Sequence, residues 1–343
     1  MGLPTEFSII VPCYNCRDFI KDCIDSVVSQ TYDSWELVVV DDGSTDGSSA
    51  LLNELASTLG DRMKVLHQEN KGQLLARNFG LQAATADYVL FLDADDALRA
   101  NTLEQLHAAI ANNPGAIFQY KLCRKADFSD KGEPDYPGIT VLPRTVEMDW
   151  VRRIVCSGPS LNNLCTKAFP KKALLADVDF ESLASITYGE DLLRLIPILD
   201  GKWQFVLLPD VLYYYRQNTS SITNQYRPER YRCVRTVNCI LREHAKTWHD
   251  EECVQLLAIR WLNETFRQLG HLRHANLPIH KLSEVIRVIG DDELFRTSWA
   301  SRSALQPYKR LLLELLWRRK YKAIAALITS VGFLESRLSG RKQ

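Results

Sequence analysis

Short apolar runs alternate with amphipathic stretches along the first third of the chain, and this alternation most constrains its fold. The runs FSIIVP, WELVVV, MKVLHQ and DYVLFL are typical of buried strands. The stretches between them carry apolar residues at helical spacing, so helices should connect the strands. Strands that alternate with helices form right-handed βαβ units around a parallel sheet. The sequence therefore predicts an α/β fold with a mainly parallel central sheet.

Polar clusters lie at the ends of three predicted strands, in residues 12–15, 41–44 and 93–96. In a parallel sheet, ligands bind at the carboxyl ends of the strands, so the three clusters are expected along one edge. Neither a glycine-rich dinucleotide fingerprint nor a P-loop occurs in the chain. Acidic side chains dominate this edge instead, and they are expected to carry its chemistry.

The stretch VPCYNC raises a separate question, because Cys13 and Cys16 form a C-x-x-C pair. The pair could be a redox dithiol, half of a zinc site, or a coincidence within another motif. The remaining cysteines supply no second C-x-x-C for zinc, whereas a dithiol is compatible with a strand-to-helix junction. Nine cysteines with irregular spacing indicate free thiols in a reducing cytosol.

Charge and length exclude several classes of protein. Lys+Arg and Asp+Glu both total 42, so no overall field favours nucleic acid. The first residues lack the basic and apolar segments of a signal peptide, and no run reaches the roughly 18 apolar residues of a spanning helix. These features lead us to expect a cytoplasmic protein. The length of 343 residues allows one large domain or two ordinary ones.

The tetrapeptide DADD suggests a metal site. Asp93 and Asp95 at one strand end repel each other unless they are protonated or bridged by a cation. Carboxylates with few nearby His or Cys residues suit Mg²⁺ or Mn²⁺, which also bind phosphate oxygens. The alternative is that these acids only cap the next helix, since acidic residues are common there.

Several longer motifs carry a family resemblance. FSIIVPCYN, SVVSQTYDSWELVVVDDGSTDGS, ENKGQLLARNFGL and DYVLFLDADD resemble the nucleotide-sugar half of the family 2 glycosyltransferases, which have the GT-A fold. NNLCTKAFPKKAL, TYGEDLL and LYYYRQNTSSIT resemble the acceptor half. The resemblance implies a GT-A domain over residues 1–225, with a nucleotide-sugar half at 1–124 and an acceptor half at 125–225. Helical patterns predict a helical C-terminal region over residues 226–343.

The resemblance assigns roles around the nucleotide base. Pro12, Tyr14 and Asn15 would cradle the base, which makes the C-x-x-C a coincidence. Asp42 would accept a hydrogen bond from the base N3–H, a contact that favours uracil. Arg77 would lie near the base or the phosphates. An ordinary solvated arginine on an amphipathic helix is the alternative for Arg77.

It also assigns roles around the diphosphate. Asp93 would contact the ribose or a metal-bound water, and Asp95 would bind the metal, with Ala94 between them in the same nucleotide-binding loop. Asp96 is expected to cap the following helix. Arg216 and Ser221 are candidates for the diphosphate.

In the acceptor half, the resemblance makes Asp191 the catalytic base. Residue 218 is Asn where many relatives have a His that helps hold the metal. Either the metal affinity is lower here or water completes the site. Acids such as Glu190 and Asp191 at a helix start also need no function, since they complement the helix dipole.

Together these features predict a metal-dependent, inverting glycosyltransferase that uses Mn²⁺ or Mg²⁺. It would move a hexose or N-acetylhexosamine from a UDP-sugar donor to a hydroxyl of a cell-surface glycan or lipid-linked acceptor. A nucleotide-sugar pyrophosphorylase is an alternative, but it would need a Gly-rich loop with Lys and Arg near the N-terminus. An inactive scaffold is disfavoured because Asp42, Asp93, Asp95 and Asp191 are all present.

The end of the chain differs in composition. Residues 309–343 contain nine basic residues against two acidic ones, and the segment is rich in Leu. Such a helix suits the surface of an anionic membrane, here the cytoplasmic face of the inner membrane. A packed terminal helix with a solvated basic face is the alternative.

Overall fold

The computed structural model describes residues 5–136, 138–217, 227–275 and 277–339. The chain forms two compact units: Met1–Val155 with Pro159–Asn218, and Cys156–Gly158 with Thr219–Gln343. The predicted domain boundary at residue 225 lies outside the described residues.

The first unit alternates strands and helices, as the sequence predicts. The strands are β1 (Phe7–Cys13), β2 (Trp35–Asp41), β3 (Met63–His67), β4 (Tyr88–Phe91), β5 (Ala97–Leu98), β6 (Ile117–Cys123), β7 (Arg144–Val146), β8 (Lys167–Pro170) and β9 (Phe205–Tyr214). The helices are α1 (Arg17–Val28), α2 (Ser48–Leu59), α3 (Gln73–Ala83), α4 (Thr102–Asn112), α5 (Met148–Ser157), α6 (Lys171–Leu174) and α7 (Glu190–Leu199).

All nine strands join one sheet in the order β3-β2-β1-β4-β8-β6-β9-β5, and β7 pairs with β9. β1, β2, β3 and β4 are mutually parallel where they pair, and β6 is parallel to β9. The shorter pairings of β5, β7 and β8 are antiparallel. The predicted α/β fold with a mainly parallel sheet is therefore confirmed. The end of β1 lies level with the end of β2, because Cys13 pairs with Asp41.

Helix α3 packs closely on the sheet at Gly80. A Cβ atom at this position would lie 2.5 Å from Ile10 Cγ2 and 3.2 Å from Val40 Cγ2. Real Cβ atoms do not approach other atoms this closely, so a glycine is required here. The contact seats α3 against β1 and β2 and brings Arg77, one turn earlier, to the strand ends.

The second unit is helical, with α8 (Arg230–Thr247), α9 (Glu251–His271), α10 (Ile279–Gly290), α11 (Glu293–Ser298), α12 (Pro307–Trp317) and α13 (Tyr321–Ser339). The last two helices add Leu313, Leu316 and Ile324 to its core. Among the described residues, no helix is both long and apolar enough to cross a membrane.

Candidate active site

The loops after β1 and β2 are joined by hydrogen bonds. Asn15 lies in the left-handed region, with a φ of 53°. Its N–H donates to Ser44 Oγ at 3.0 Å, and its Oδ1 accepts from the Thr45 N–H at 2.8 Å. Pro12 is buried in β1, whereas the Tyr14 side chain is 49% exposed. The predicted base-binding residues thus form a prearranged loop with an open aromatic ring.

Most acceptor positions of the Asp42 carboxylate are occupied by hydrogen bonds from the protein itself. It is 3% exposed and accepts from Gln68 Nε2 at 2.6 Å and from the Lys71 N–H at 2.8 Å. Its other oxygen accepts from the Gly72 N–H at 2.9 Å. Because a carboxylate has about four acceptor sites, room for one further donor remains.

Arg77 is buried and bridges two predicted site residues. Its Nη1 donates to Asp191 Oδ1 at 2.5 Å and its Nη2 donates to Asp93 Oδ1 at 2.8 Å. Burial alone would lower the pKa of Arg77, but Asp191 and then Asp93 raise it well above its usual range. The alternative of a solvated arginine is therefore wrong, since the side chain is only 2% exposed.

Asp191 is held from both sides at the start of α7. Gly189, with a φ of 86°, turns the chain into this helix. While Oδ1 accepts from Arg77, Oδ2 accepts from the Leu164 N–H at 3.2 Å. Burial and then the charge of Asp191 raise the pKa of the neighbouring Glu190 to about 7. A quarter of the Asp191 side chain stays exposed, so a ligand can reach it.

Asp93 and Asp95 follow β4, with the buried Ala94 between them. Asp93 Oδ1 is shared by Arg77 and Gln73. Among the described residues, no side chain donates a hydrogen bond to the Asp95 carboxylate. Arg216 Nε donates to the backbone oxygen of Asp95, at 2.8 Å, and its charge acts on the carboxylate. Burial and then the charge of Asp93 raise the pKa of Asp95.

This acid pair fits a hard divalent cation. Its donor set is carboxylate oxygen, the type that Mg²⁺ and Mn²⁺ prefer. Within the parts of the chain that the structure describes, no three His, Cys, Asp or Glu side chains form a ready-made metal cage. An ion here would therefore take most of its ligands from water and from a bound diphosphate.

Asp96 does not cap a helix, so the expectation for this residue is wrong. It is 1% exposed, and α4 begins only at Thr102. Its Oδ2 accepts from Tyr213 Oη at 2.6 Å, and its Oδ1 accepts from the Arg216 N–H at 2.8 Å. Burial and then the charge of Asp93 raise the pKa of Asp96 to about 8. Asp96 therefore fixes the loop after β4 to the end of β9.

Arg216 lies beside this loop, as its predicted diphosphate role requires. Besides its contact with Asp95, its Nη2 donates to Asp22 Oδ2 at 3.0 Å. The other two candidates of this stretch, Asn218 and Ser221, lie outside the described residues.

Two site residues escaped the sequence analysis. Gln73 donates to Asp93 Oδ1 at 2.9 Å, and its spacing of four from Arg77 could have revealed it, because residues i and i+4 share a helix face. Leu164 contributes a backbone N–H, which no sequence pattern marks.

Comparisons with known proteins identify the family and the fold of the chain. Residues 8–154 match the model of glycosyl transferase family 2. A PGL/p-HBAD biosynthesis glycosyltransferase of Mycobacterium bovis is 30% identical over 235 residues, which cover 59% of this chain and 92% of that protein. A putative teichuronic acid biosynthesis glycosyltransferase of Bacillus subtilis, TuaG, is 41% identical over 99 residues, covering 29% of this chain and 39% of the relative.

Glycosyltransferase GlyA of Streptococcus pneumoniae is 40% identical over 110 residues, which cover 32% of this chain but 16% of the relative. The chain thus spans well under half the length of GlyA and of TuaG. The crystal structure of S. aureus TarS 1-349 in complex with UDP-GlcNAc superposes with a TM-score of 0.68 at 21% identity, over 94% of this chain and 90% of that one.

At this identity the TarS likeness shows the GT-A fold, and the mycobacterial relative, matched over 92% of its length, shows the family. The chain belongs to family 2 of the glycosyltransferases.

Proposed function

We propose that the chain is an inverting glycosyltransferase that moves a hexose or N-acetylhexosamine from a UDP-sugar to an acceptor hydroxyl. The observation that carries the proposal is the bridge from Arg77 to both Asp93 and Asp191. One guanidinium thereby joins the donor side of the site to the proposed base. The printed names of the relatives support a cell-surface glycan or a lipid-linked glycan as the acceptor, since TuaG is named for teichuronic acid biosynthesis.

Asp191 is the proposed general base. Inversion requires one group to take the proton of the acceptor hydroxyl while that oxygen attacks the anomeric carbon opposite the UDP. Arg77 and the Leu164 N–H occupy two of the acceptor positions of the carboxylate, which leaves others for the hydroxyl.

The donor is held by the strand ends. Tyr14 and Asn15, with Pro12 behind them, receive the base, and the remaining acceptor position of Asp42 takes the uracil N3–H. The complexes of TarS with UDP and UDP-GlcNAc support a UDP-sugar. Arg216 and Ser221 are the candidates for binding the diphosphate in this proposal, and Ala94 belongs to the loop between Asp93 and Asp95.

Asp95, together with Asp93, would hold Mn²⁺ or Mg²⁺. When bound, such an ion would supply positive charge against the negative charge of the departing UDP, an effect worth several kcal/mol. The raised pKa of Asp95 supports this assignment, because an acid without a compensating donor gains most from a cation.

A panel of nucleotide sugars tests the proposal. UDP-glucose, UDP-galactose and their N-acetylamino forms are incubated with the protein, Mn²⁺ and a set of glycan acceptors, with GDP-mannose as the matched control. We expect free UDP from one UDP-sugar, and a thermal shift with UDP, since a ligand at 100 times its Kd adds about 2.7 kcal/mol. Formation of UTP from pyrophosphate would instead identify a pyrophosphorylase, and the absence of any nucleotide binding would identify a scaffold.

We also propose that the protein acts in the cytoplasm, at the surface of the inner membrane. Arg318, Arg319, Lys320 and Lys322 are exposed between and beside α12 and α13, and the nearby Leu311 side chain is 69% exposed. Each basic residue near an anionic surface contributes about 1 kcal/mol, screened by salt.

Liposome flotation measures this attraction. Changing the four basic residues to Gln leaves the core of the second unit intact, so the variant should fold and lose affinity for phosphatidylglycerol vesicles at low salt. Equal binding of the variant and the native protein would contradict the membrane proposal.

A further inference from the structure

The peptide unit between Asn163 and Leu164 lies between the proposed base and a buried lysine. Its N–H, which belongs to Leu164, donates to Asp191 Oδ2 at 3.2 Å. Its carbonyl oxygen, which belongs to Asn163, accepts from Lys167 Nζ at 2.5 Å. Because a peptide unit is planar and trans, its N–H and its carbonyl point in opposite directions and turn together. The lysine therefore holds one end of a rigid group whose other end holds the carboxylate of Asp191.

The side chain of Lys167 is fully buried in β8, which lies between β4 and β6. Its ammonium donates to the Asn163 carbonyl and, at 3.2 Å, to Asn163 Oδ1, and it pairs with no carboxylate among the residues that the structure describes. Burial lowers the pKa of Lys167 to about 7, while Cys165 and Asp191 act in the opposite direction. A buried amine without an ion-pair partner costs free energy, and groups of this kind concentrate at functional sites.

Other hydrogen bonds hold the same turn without the ammonium. Asn163 Oδ1 also accepts from Thr166 Oγ1 at 2.6 Å, and Gln119 Nε2 of β6 donates to Thr166 Oγ1 at 2.8 Å. The backbone N–H of Lys167 donates to the Leu164 carbonyl oxygen at 3.1 Å. Removal of the ammonium therefore leaves the turn closed and changes chiefly the direction and the polarity of the peptide unit.

We propose that Lys167 is a positioning residue for sugar transfer, because through the peptide unit between Asn163 and Leu164 it fixes the orientation of the Asp191 carboxylate. This inference rests on the proposed function, since it takes Asp191 as the general base. Arg77 holds Oδ1 of this carboxylate and the Leu164 N–H holds Oδ2, so the two contacts together define its plane. That plane sets the direction in which the remaining lone pairs meet the acceptor hydroxyl.

The lysine also acts on the strength of the contact. A donor on a carbonyl oxygen polarises the peptide unit, and hydrogen bonds in such a chain strengthen one another. The Leu164 N–H is thereby a better donor to Asp191 than it is without the lysine. Since Lys167 is fully buried, its effect on turnover has to pass through the protein rather than through a contact with a substrate.

Lys167→Met removes the ammonium and keeps an apolar stem in the buried space. With the UDP-sugar and acceptor that the nucleotide-sugar panel identifies, its kcat should fall by about 10 to 100-fold, because a small displacement of a catalytic group has an effect of this size. The affinity for UDP in a calorimetric titration should be unchanged. Should Lys167→Met fail to fold, the shorter and uncharged Lys167→Gln replaces it with the same expectations.

Lys171→Met is the matched control, because the chain repeats the arrangement away from the site. Lys171 Nζ donates to the Ala84 carbonyl oxygen at 2.6 Å, and the N–H of that peptide unit, which belongs to Thr85, donates to Glu36 Oε1. This variant also removes an ammonium from a peptide that binds a carboxylate, but Glu36 stands in β2 before the strand end. Its kcat should stay native.

A double-mutant cycle separates positioning from a general loss of structure. In the Asp191→Asn background, Lys167→Met should lower kcat little further, since the group that it positions no longer acts as a base. Independent effects would instead multiply. A native kcat in Lys167→Met overturns the proposal, and so does a full tenfold or larger further loss in the Asp191→Asn background.

The amide resonance of Leu164 gives a measurement that needs no activity. It is observed by NMR in protein that carries isotope-labelled leucine, and it is identified by its absence in Leu164→Met. We expect it to move upfield in Lys167→Met, as a weakened hydrogen-bond donor does, and to stay in place in Lys171→Met. An unmoved resonance in Lys167→Met overturns the proposal. If Asp191→Asn keeps native turnover, the proposed base fails, while this resonance still decides whether Lys167 sets the Leu164 N–H.

Discussion

The carboxylates at the end of β2 and those at the end of β4 lie in opposite electrostatic settings. Asp42, after β2, accepts three hydrogen bonds from the protein itself. Asp95 and Asp96, after β4, both have raised pKa values, because burial and the charge of Asp93 outweigh the donors around them. The carboxylate of the first region is largely satisfied by the protein and keeps one acceptor position open. The second region carries an excess of acid, which a proton or a bound cation would relieve.

The largest expected effect is at the end of β4, where Asp95 has a raised pKa. Asp95→Asn should lower turnover by at least about 10³-fold, because the charge on departing UDP is no longer offset. Its melting temperature in EDTA should not fall, since the variant removes an unrelieved acid. Treatment of the native protein with EDTA should abolish activity as well.

Asp61→Asn is the matched control and should keep native turnover, because this exposed acid precedes the start of β3, at the opposite edge of the sheet from the strand ends. Full turnover of the native protein in EDTA would contradict the metal assignment and remove the basis of the comparison.

The next effect concerns Asp191, which is paired with Arg77 as Asp93 is. Asp191→Asn keeps the shape and removes the basicity, so turnover should fall by about 10² to 10⁴-fold, the usual worth of a general base. UDP affinity should change little in a calorimetric titration. Glu190→Gln is the control and should be less harmful; the reverse order would show that the base is the wrong carboxylate.

At the end of β2, where Asp42 accepts three hydrogen bonds from the protein, the expected loss is mainly one of stability. Asp42→Ala leaves Gln68 Nε2 and the N–H groups of Lys71 and Gly72 without their acceptor. These donors are part-buried, so each lost hydrogen bond costs about 0.5–1.5 kcal/mol, and denaturant unfolding should show the loss of stability. Asp42→Asn should recover part of it, because it restores one acceptor oxygen. If Asp42→Ala were as stable as Asp95→Asn, the two ends would not differ as described.

The smallest effect is a dependence of stability on pH. Burial and Asp191 raise the pKa of folded Glu190 from 4.5 to about 7, so the folded state binds the proton more tightly than the unfolded state. Stability from this group is full below pH 4.5 and is lost as the pH rises to about 7. Glu190→Gln should reduce this slope and melt a few degrees higher than the native protein at about pH 8. An unchanged slope would show that Glu190 is not the source.

The strand ends could be predicted from the sequence because they depend on local patterns. The apolar runs define β1, β2 and β4, and the parallel arrangement then places their polar ends at one edge. Prediction failed where a side chain's partner comes from a distant part of the chain. Asp96 reads as a helix cap, but its partners Tyr213 and Arg216 are more than a hundred residues away.

Arg77 shows the same limit. Its helix is amphipathic, and a charged residue in such a helix is ordinarily solvated. Arg77 becomes a buried bridge for two reasons. Helix α3 packs closely on the sheet at Gly80, and Asp191 at the start of α7 pairs with Arg77. The family motif identifies the residue, whereas its partner Asp191 is 114 positions away.

The sharing of one guanidinium by Asp93 and Asp191 also has a thermodynamic consequence. On the proposed roles, binding of the sugar donor with a cation weakens the ion pair between Asp93 and Arg77. The ion pair between Arg77 and Asp191 then strengthens. Donor and acceptor binding are then linked functions: whatever factor the donor applies to the acceptor's affinity, the acceptor applies to the donor's. On these roles the buried Arg77, through its shared contacts with Asp93 and Asp191, would set the sign of that cooperativity.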